Sequence, residues 1–540
     1  MKSKYIFFAV SLFAALSANA QETYENAKLA GEDLNGTARY VGMGGAMEAL
    51  GADISTIGSN PAGIGLFRHS NVSLSAGLLM QSDGKEFSNG KKTNLSFDQI
   101  GGVYTTRTGQ KSFLNFGFNY HKSKNFDYIL NAAGSLNGSS QNKQSYIKGM
   151  LGDQKVGGFN VGKNKDGQNI GYVDAKSSDV AYTWSQIDYL YWNSLIPGSN
   201  GLYNYEKATG YTLDRTHTGY IGNYDFAVSG NLNDRVYLGL TFGMKDVNYK
   251  GYSEYRENLN NAGGVLVRDE RKVTGSGFDI TAGVIVRPVA ESPFRIGAYV
   301  KSPTWYDLTT SNVTRLVYAS GTSSQEKGVP NSPNSYDFKM WTPWKFGFSL
   351  GHTIGNNIAL GATYEYENYA NINSRVNNGG YYDYYYDQYY ESSIPDKNMN
   401  AHTKEVLKGV STLKLGVEYK PVSNVALRAG YNYVSAMYVN NAQKDPGLAS
   451  LGTSYSSTTD YTNWGEINRF TLGVGYQVKK FNIDLAYQYS AQKGSFAPFS
   501  NVRDISIPSG ATIVSESNIA SNTDVKNNRS QLLLTLGYRF

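Results

Sequence analysis

From residue 70 to its end the chain alternates apolar and polar residues with a period of two, over stretches longer than an ordinary strand. Val236, Leu238, Leu240, Phe242 and Met244 share one face, and Tyr237, Gly239, Thr241, Gly243 and Lys245 the other. Phe470, Leu472, Val474, Tyr476 and Val478 stand in the same way against Thr471, Gly473, Gly475 and Gln477. This alternation puts the apolar set on one side of a sheet. About fourteen such stretches are legible, most of roughly 9–14 residues, which suits a tilted bilayer crossing better than the five or six of an average strand. They lie near 70–80, 99–107, 112–122, 223–232, 236–249, 274–287, 295–303, 343–352, 357–368, 410–420, 424–436, 468–478, 481–491 and 529–540.

The connections alternate too. Asn233-Asp234-Arg235, Gly355-Asn356, Pro421-Val422-Ser423 and Lys479-Lys480 read as tight turns, whereas 123–222, 250–273, 304–342, 369–409, 437–467 and 492–528 are long polar segments. Short turns on one rim and long loops on the other mark an outer-membrane barrel, and a soluble sandwich has no reason to keep that order. The expected fold is therefore all-β, a transmembrane antiparallel β-barrel of about fourteen strands spanning residues 70–540. The 44 Tyr and 59 Gly fit strands with bulky outward and small inward residues.

Residues 1–20 read as a signal peptide: Lys2 and Lys4, an apolar stretch from Tyr5 to Leu16, and Ala18-Asn19-Ala20 as the cleavage site. The stretch is too short to span a bilayer, so cleavage near Ala20 and export to the outer membrane of a Gram-negative cell are expected. The absence of cysteine removes disulfides, thiolate catalysis and a lipoprotein anchor. A net charge of +6 without a basic cluster gives no argument for nucleic acid.

Residues 21–69 lack sustained alternation and are rich in Gly and Ala. Asn60-Pro61-Ala62-Gly63 must turn, since Pro61 keeps Asn60 out of the helical region, and Ala46–Leu50 suits a short helical turn. The segment precedes the first strand and is small enough to sit inside a barrel as an N-terminal hatch plugging the lumen. At the other end Leu532, Leu534, Leu536, Tyr538 and Phe540 share a face, and Tyr538 with Phe540 resembles the terminal signal that barrel assembly machinery reads.

The stretch Gly36–Leu79 resembles the FadL/TodX family of outer-membrane hydrophobic-compound transporters, in a Bacteroidetes-type form. Gly42, Gly44, Gly45, Asp53, Asn60, Pro61, Ala62 and Phe67 sit where that family's pattern expects them, and residues 275–304 and 412–434 carry weaker echoes. The resemblance implies a hatch-plugged barrel with loop capture of a hydrophobic small molecule or lipid, such as a long-chain fatty acid. It further implies a hatch shift involving those residues and Gly63, and lateral release through a kinked strand. No cofactor and no energy source are implied, and the expected surroundings are a monomer in membrane lipid and lipopolysaccharide. The 123–222 segment and the run Tyr381-Tyr382-Asp383-Tyr384-Tyr385-Tyr386-Asp387 depart from the family. The alternative is a surface barrel that transports nothing and binds haem or a partner protein, or assists secretion.

Catalytic chemistry finds no foothold. His69, His121, His217, His352 and His402 show no metal-ligand spacing, and neither a nucleotide fingerprint nor a nucleophile elbow is present. Neither an enzyme nor a metal site is expected. Tyr381, Tyr382, Tyr384, Tyr385 and Tyr386 are candidates for ligand capture, because Tyr offers a flat apolar face and a hydroxyl at low entropic cost.

Overall fold

A computed structural model describes residues 22–151, 158–173, 184–198, 201–260, 263–320, 323–329, 332–509 and 512–540. The expected signal peptide lies outside them. Fourteen crossings form the wall. They are β1 (Asn71–Gln81), β2 (Thr93–Arg107), β3 (Phe113–Asn125, continued by Tyr128–Ser135), β4 (Ala208–Leu232), β5 (Val236–Leu259) and β6 (Gly264–Val286). Next come β7 (Arg295–Lys301, continued by Trp305–Ser320), β8 (Asn334–Trp341, continued by Lys345–Ile354), β9 (Ile358–Asn368, continued by Asn373–Asp383) and β10 (Gly409–Val422). The last are β11 (Val425–Val434), β12 (Tyr461–Val478), β13 (Phe481–Ala497) and β14 (Thr523–Arg539). Each pairs antiparallel with its neighbour in sequence, and β14 pairs with β1 from Asn71↔Arg539 to Gln81↔Arg529, closing the barrel. Closure leaves no open rim along the cylinder.

The alternation maps onto lipid and lumen. Leu238, Leu240, Phe242 and Met244 of β5 are exposed, as are Phe226 and Val228 of β4, Phe346 and Phe348 of β8, and Leu532, Leu534 and Leu536 of β14. A continuous apolar band of this kind would be a liability in water and is what a hydrocarbon environment requires. The tight turns follow local chemistry: Asn233 (φ 54°) and Asp234 (φ 55°) take the left-handed conformation that Asn and Asp tolerate best after Gly.

Several strands run far beyond the stretches read from sequence, and much of the expected loops 123–222, 250–273 and 304–342 is strand. The reason is visible in β5. Above Lys245 the outward positions become Asp246, Asn248, Lys250, Glu254, Arg256 and Asn258, while Val247, Tyr249, Tyr255 and Leu259 turn inward and are buried. The outward surroundings change from lipid to water, so the alternation changes face and escapes a search for outward apolar residues. The Tyr381–Tyr390 segment likewise belongs to a hairpin, Asn373–Asp383 with Gln388–Pro395, rather than an irregular loop.

The lumen is filled in layers. Residues 38–67 occupy the lower part, in short helices each begun by a side-chain cap. Thr37 accepts from Tyr40 N (3.1 Å), Asp53 from Ser55 N (3.0 Å) and Asn60 from Ala62 N (3.2 Å). Above them the helix Thr23–Ala30 is buried among Tyr249, Tyr306, Phe338, Tyr369, Tyr438 and Tyr461. The top layer comes from long connections: Ile187, Leu190 and Tyr191 of the helix Gln186–Ser194 pack on Leu213, Tyr255, Val265 and Leu316.

Candidate functional site: a break in the wall and the segment that fills it

The N-terminal segment inside the barrel, expected from sequence to be a hatch, meets the wall through two kinds of contact. The first is close packing against glycine. A Cβ on Gly361 would lie 1.9 Å from Ala46 O, on Gly416 2.3 Å from Met43 O, on Gly430 2.2 Å from Gly44 N, on Gly239 2.3 Å from Pro61 C, and on Gly283 2.0 Å from Asn60 Oδ1. Lumen-facing glycines on five strands thus create the room in which this segment lies.

The second kind is ionic. Glu32 reaches Lys345 (2.6 Å), Lys245 (3.0 Å) and Lys301 (3.4 Å) on β8, β5 and β7. Asp33 turns the other way, to Arg529 (3.5 Å) and Arg469 (3.7 Å) on β14 and β12. Glu48 accepts from Lys414 (3.0 Å), Tyr40 Oη (2.9 Å) and Thr363 Oγ1 (2.7 Å). Arg39 meets Glu418 (3.2 Å), which Arg428 also holds (2.6 Å). Glu25 meets Arg271 (3.4 Å) and Glu22 meets Lys444 (2.8 Å). The segment supplies mostly carboxylates and the wall mostly cations. Buried ion pairs of this kind contribute little net stability against hydration, yet each is costly to leave half-made, so they fix position more than they bind.

The wall itself is interrupted beside Asp33. Pairing of β2 with β3 ends at Gln99↔His121, although β2 extends further up, to Thr93, against β1 and β3 continues against β4. Each strand is irregular at this level: β2 shifts register against β1 between its residues Phe97 and Gln99, and β3 against β4 between Lys122 and Lys124. Such bulges bend and twist the strands that carry them. The open edge of β3 therefore needs other partners for its backbone, and the hatch supplies them. Asp33 N donates to Ser123 O (2.7 Å), Asn125 N donates to Asp33 Oδ2 (3.1 Å), and Asn35 Nδ2 donates to Lys122 O (3.0 Å). Further up, the Gln81 side chain does the same for Ile129, donating to its O and accepting from its N (2.8 Å each). A small polar cavity lies behind the break, lined by Asp33, Asn35, Asp98, Lys122, Arg469 and Arg529. Asp98 Oδ1 accepts from Asn35 (3.0 Å), while its buried Oδ2 has no hydrogen-bond partner.

The residues singled out from sequence fall in three places. Gly42, Gly44, Gly45, Asp53, Asn60, Pro61, Ala62 and Gly63 all lie inside the barrel, and Phe67 packs at its floor against Ile54, Ile57 and Ile64. Gly44 (φ 63°) and Gly45 (φ 80°) are left-handed, and Asp53 holds the Thr37 hydroxyl at 2.9 Å. The tyrosines of 381–386 stand far off, exposed on their hairpin. Tyr538 meets Phe540 edge-on (5.0 Å) at the end of β14. The histidines have structural partners where they have any: His121 meets Asp225 (3.3 Å), His217 meets the Tyr249 hydroxyl (2.7 Å), and His402 meets Thr23 (3.0 Å). Among the described residues no cluster of metal-ligating side chains occurs.

Glu32, Asp33, Asn35 and Asp98 were not anticipated. One signal was present. Outward apolar residues fall at Leu95 and Phe97 and then at Ile100, a spacing of three that betrays the bulge.

No family model matches the sequence, and no curated protein matches it. Among solved structures the chain is similar to the toluene transporter TbuX of Ralstonia pickettii (12% identity, 94% of this chain and 99% of that one, TM-score 0.46). It is similar to the toluene transporter TodX of Pseudomonas putida (10% identity, 94% and 99%, TM-score 0.44). It is also similar to a FadL homologue of Pseudomonas aeruginosa (12% identity, 95% and 100%, TM-score 0.49).

Proposed function

We propose that this chain is a gated outer-membrane transporter of small hydrophobic compounds, long-chain fatty acids being the first to test. The structure in hand corresponds to its closed state. One observation carries the reading: the β2–β3 break is closed by Asp33 and Asn35 of the N-terminal segment rather than by the wall. Withdrawing that segment opens a path sideways without breaking any strand pair of the cylinder. The contacts that hold it are hydrogen bonds and ion pairs, which exchange readily with water; each hydrogen bond is worth about 1 kcal/mol net. The solute's own chamber is the ring of aromatic side chains now occupied by the helix Thr23–Ala30, where Tyr24 stacks on Tyr438 at 5.2 Å. Movement of that helix offers an apolar guest a greasy, partly hydroxylated surface, at roughly 25 cal/mol per Å² buried.

A barrel serving only as an anchor has no use for a wall break closed by a separable part. The chain has no cysteine, so cysteines introduced at Asp33 and Ser123, whose backbones meet at 2.7 Å, are the only pair that oxidation joins. Oxidised protein is expected to lose uptake of a labelled fatty acid into cells, and reduction to restore it. Equal uptake in both redox states rules the gate out.

A further inference from the structure

The hairpin Asn373–Asp383 and Gln388–Pro395 rises from the outer rim of β9 and has no part in the gate. Its strands pair from Arg375↔Pro395 to Asp383↔Gln388. Among the described residues no strand pairs with the far edge of Gln388–Pro395, and Gln388, Tyr389, Glu391, Ser392, Ile394 and Pro395 are all exposed. An open edge of this kind presents backbone N–H and C=O groups ready for another strand.

The side chains around it are of one kind. At the tip Tyr384 and Tyr385 are 89% and 87% exposed, and Tyr381, Tyr382, Tyr386 and Tyr389 are exposed as well. The rings sit edge-to-face, Tyr382 with Tyr384 (5.0 Å) and Tyr385 with Tyr386 (4.9 Å), which leaves ring faces open. The turn is held in shape by Asp383, which accepts from Tyr385 N (2.9 Å), and by the Tyr382 hydroxyl on Asp387. From Val376 to Pro395 the chain carries Asp383, Asp387 and Glu391 and not one Lys or Arg, in a protein of net charge +6. Lys339, at the hairpin base, bridges Glu391 (3.3 Å) and Asp307 (3.2 Å), and among the described residues no cation pairs with Asp383 or Asp387.

Electron-rich ring faces and two carboxylates, Asp383 and Asp387, without a paired cation select a positively charged partner. The open edge selects an extended backbone. Anionic lipid and phosphate-bearing glycans are repelled by the same charges, and a neutral sugar makes no use of the edge. We infer that this hairpin is a docking site for an extended, lysine- or arginine-bearing polypeptide segment, added as a third strand along Gln388–Pro395 with its cationic side chains over the tip tyrosines.

The test uses the full chain in detergent micelles and fluorescence anisotropy of a labelled octapeptide of alternating Lys and Val. Binding that weakens with added salt is expected, together with at least tenfold weaker binding of the Glu/Val peptide. Ser393→Pro, which removes an N–H that the pairing register turns away from the partner strand, and the pair Tyr384→Ser with Tyr385→Ser are each expected to weaken binding at least tenfold. Because Ser393→Pro can distort the hairpin, the pair Asp387→Asn with Glu391→Gln serves as a second route and is expected to flatten the salt dependence. The inference is overturned by absence of binding, by equal binding of the charge-reversed peptide, by indifference to the tyrosine and charge variants, or by full competition from a neutral oligosaccharide.

Discussion

Adding one methyl group to a lumen-facing glycine tests whether the hatch rests on the wall as described. At Gly361 a Cβ would sit 1.9 Å from Ala46 O where ordinary contact begins at 3.4 Å, a shortfall of about 1.5 Å. Gly416 repeats the conflict on the next strand, at 2.3 Å from Met43 O. The obstructing atoms are backbone carbonyls, so no side-chain rotation relieves them, and the wall strand is held by pairing on both sides. The yielding partner is the hatch. Overpacking of this size costs about 1–3 kcal/mol per site, so Gly361→Ala multiplies the displaced population about fivefold to about a hundredfold. Gly361→Ala with Gly416→Ala multiplies it further. Conductance across planar bilayers, and sensitivity of cells to a bulky antibiotic that the intact outer membrane excludes, are expected to rise in that order. Gly230→Ala is the control, because nothing lies within 4 Å of its Cβ position. Unchanged conductance in the double variant, with the barrel correctly folded by its heat-modifiable mobility, refutes the reasoning.

Three further outcomes follow from the same structure. Burial pushes Glu257, in the water-facing extension of β5, from 4.5 up to about 7, although Gln141 N (2.9 Å) and the Tyr255 hydroxyl (2.7 Å) donate to it. The folded state therefore binds this proton more tightly than the unfolded one, and its stabilisation is full below pH 4.5 and is lost as pH rises through about 7. The change amounts to about 3 kcal/mol. Hydrogen exchange in the helix Gln141–Met150 is expected to accelerate from pH 5 to 8 beyond the intrinsic rate, and Glu257→Gln to abolish that excess; an excess that survives the substitution disproves the assignment. Asn60→Ala removes a cap and a contact with Val284 O (3.4 Å), so faster exchange over 61–66 at unchanged barrel yield is expected, reflecting about 1 kcal/mol. Asp33→Ala frees the Asn125 amide and deprives Arg469 and Arg529 of a counter-charge, and a leak detectable as raised basal conductance is expected, against none for Asp53→Asn.

The wall was legible because lipid and lumen impose opposite demands on neighbouring residues, as at Leu238 and Gly239. It ceased to be legible where that contrast vanished, above Lys245, since a strand with water outside and a packed interior carries its apolar residues on the other face. The segment that lies inside the barrel stood out as a Gly-rich stretch with Asn60 and Pro61 marking a turn. Its working contacts were not, because Glu32 and Asp33 gain meaning only from lysines and arginines brought together by strands more than 200 residues away. The break depends on bulges of one residue, and only the Leu95, Phe97, Ile100 spacing hinted at it. The tyrosine run was conspicuous from the start, but its open strand edge required the hairpin pairing to be seen.

The change of face at Lys245 also sets the height of the molecule. From there to Leu259 the strand climbs fourteen residues, and at about 3.3 Å each with a tilt near 40° that is a rise of about 35 Å. The upper rim thus stands on a turret well clear of the hydrocarbon. On the proposed function, a greasy solute captured there would be met outside the carbohydrate layer, and would descend within protein until it left sideways into lipid. On the same proposal, shortening the turret would leave the β2–β3 break untouched and lower the point of capture towards the membrane.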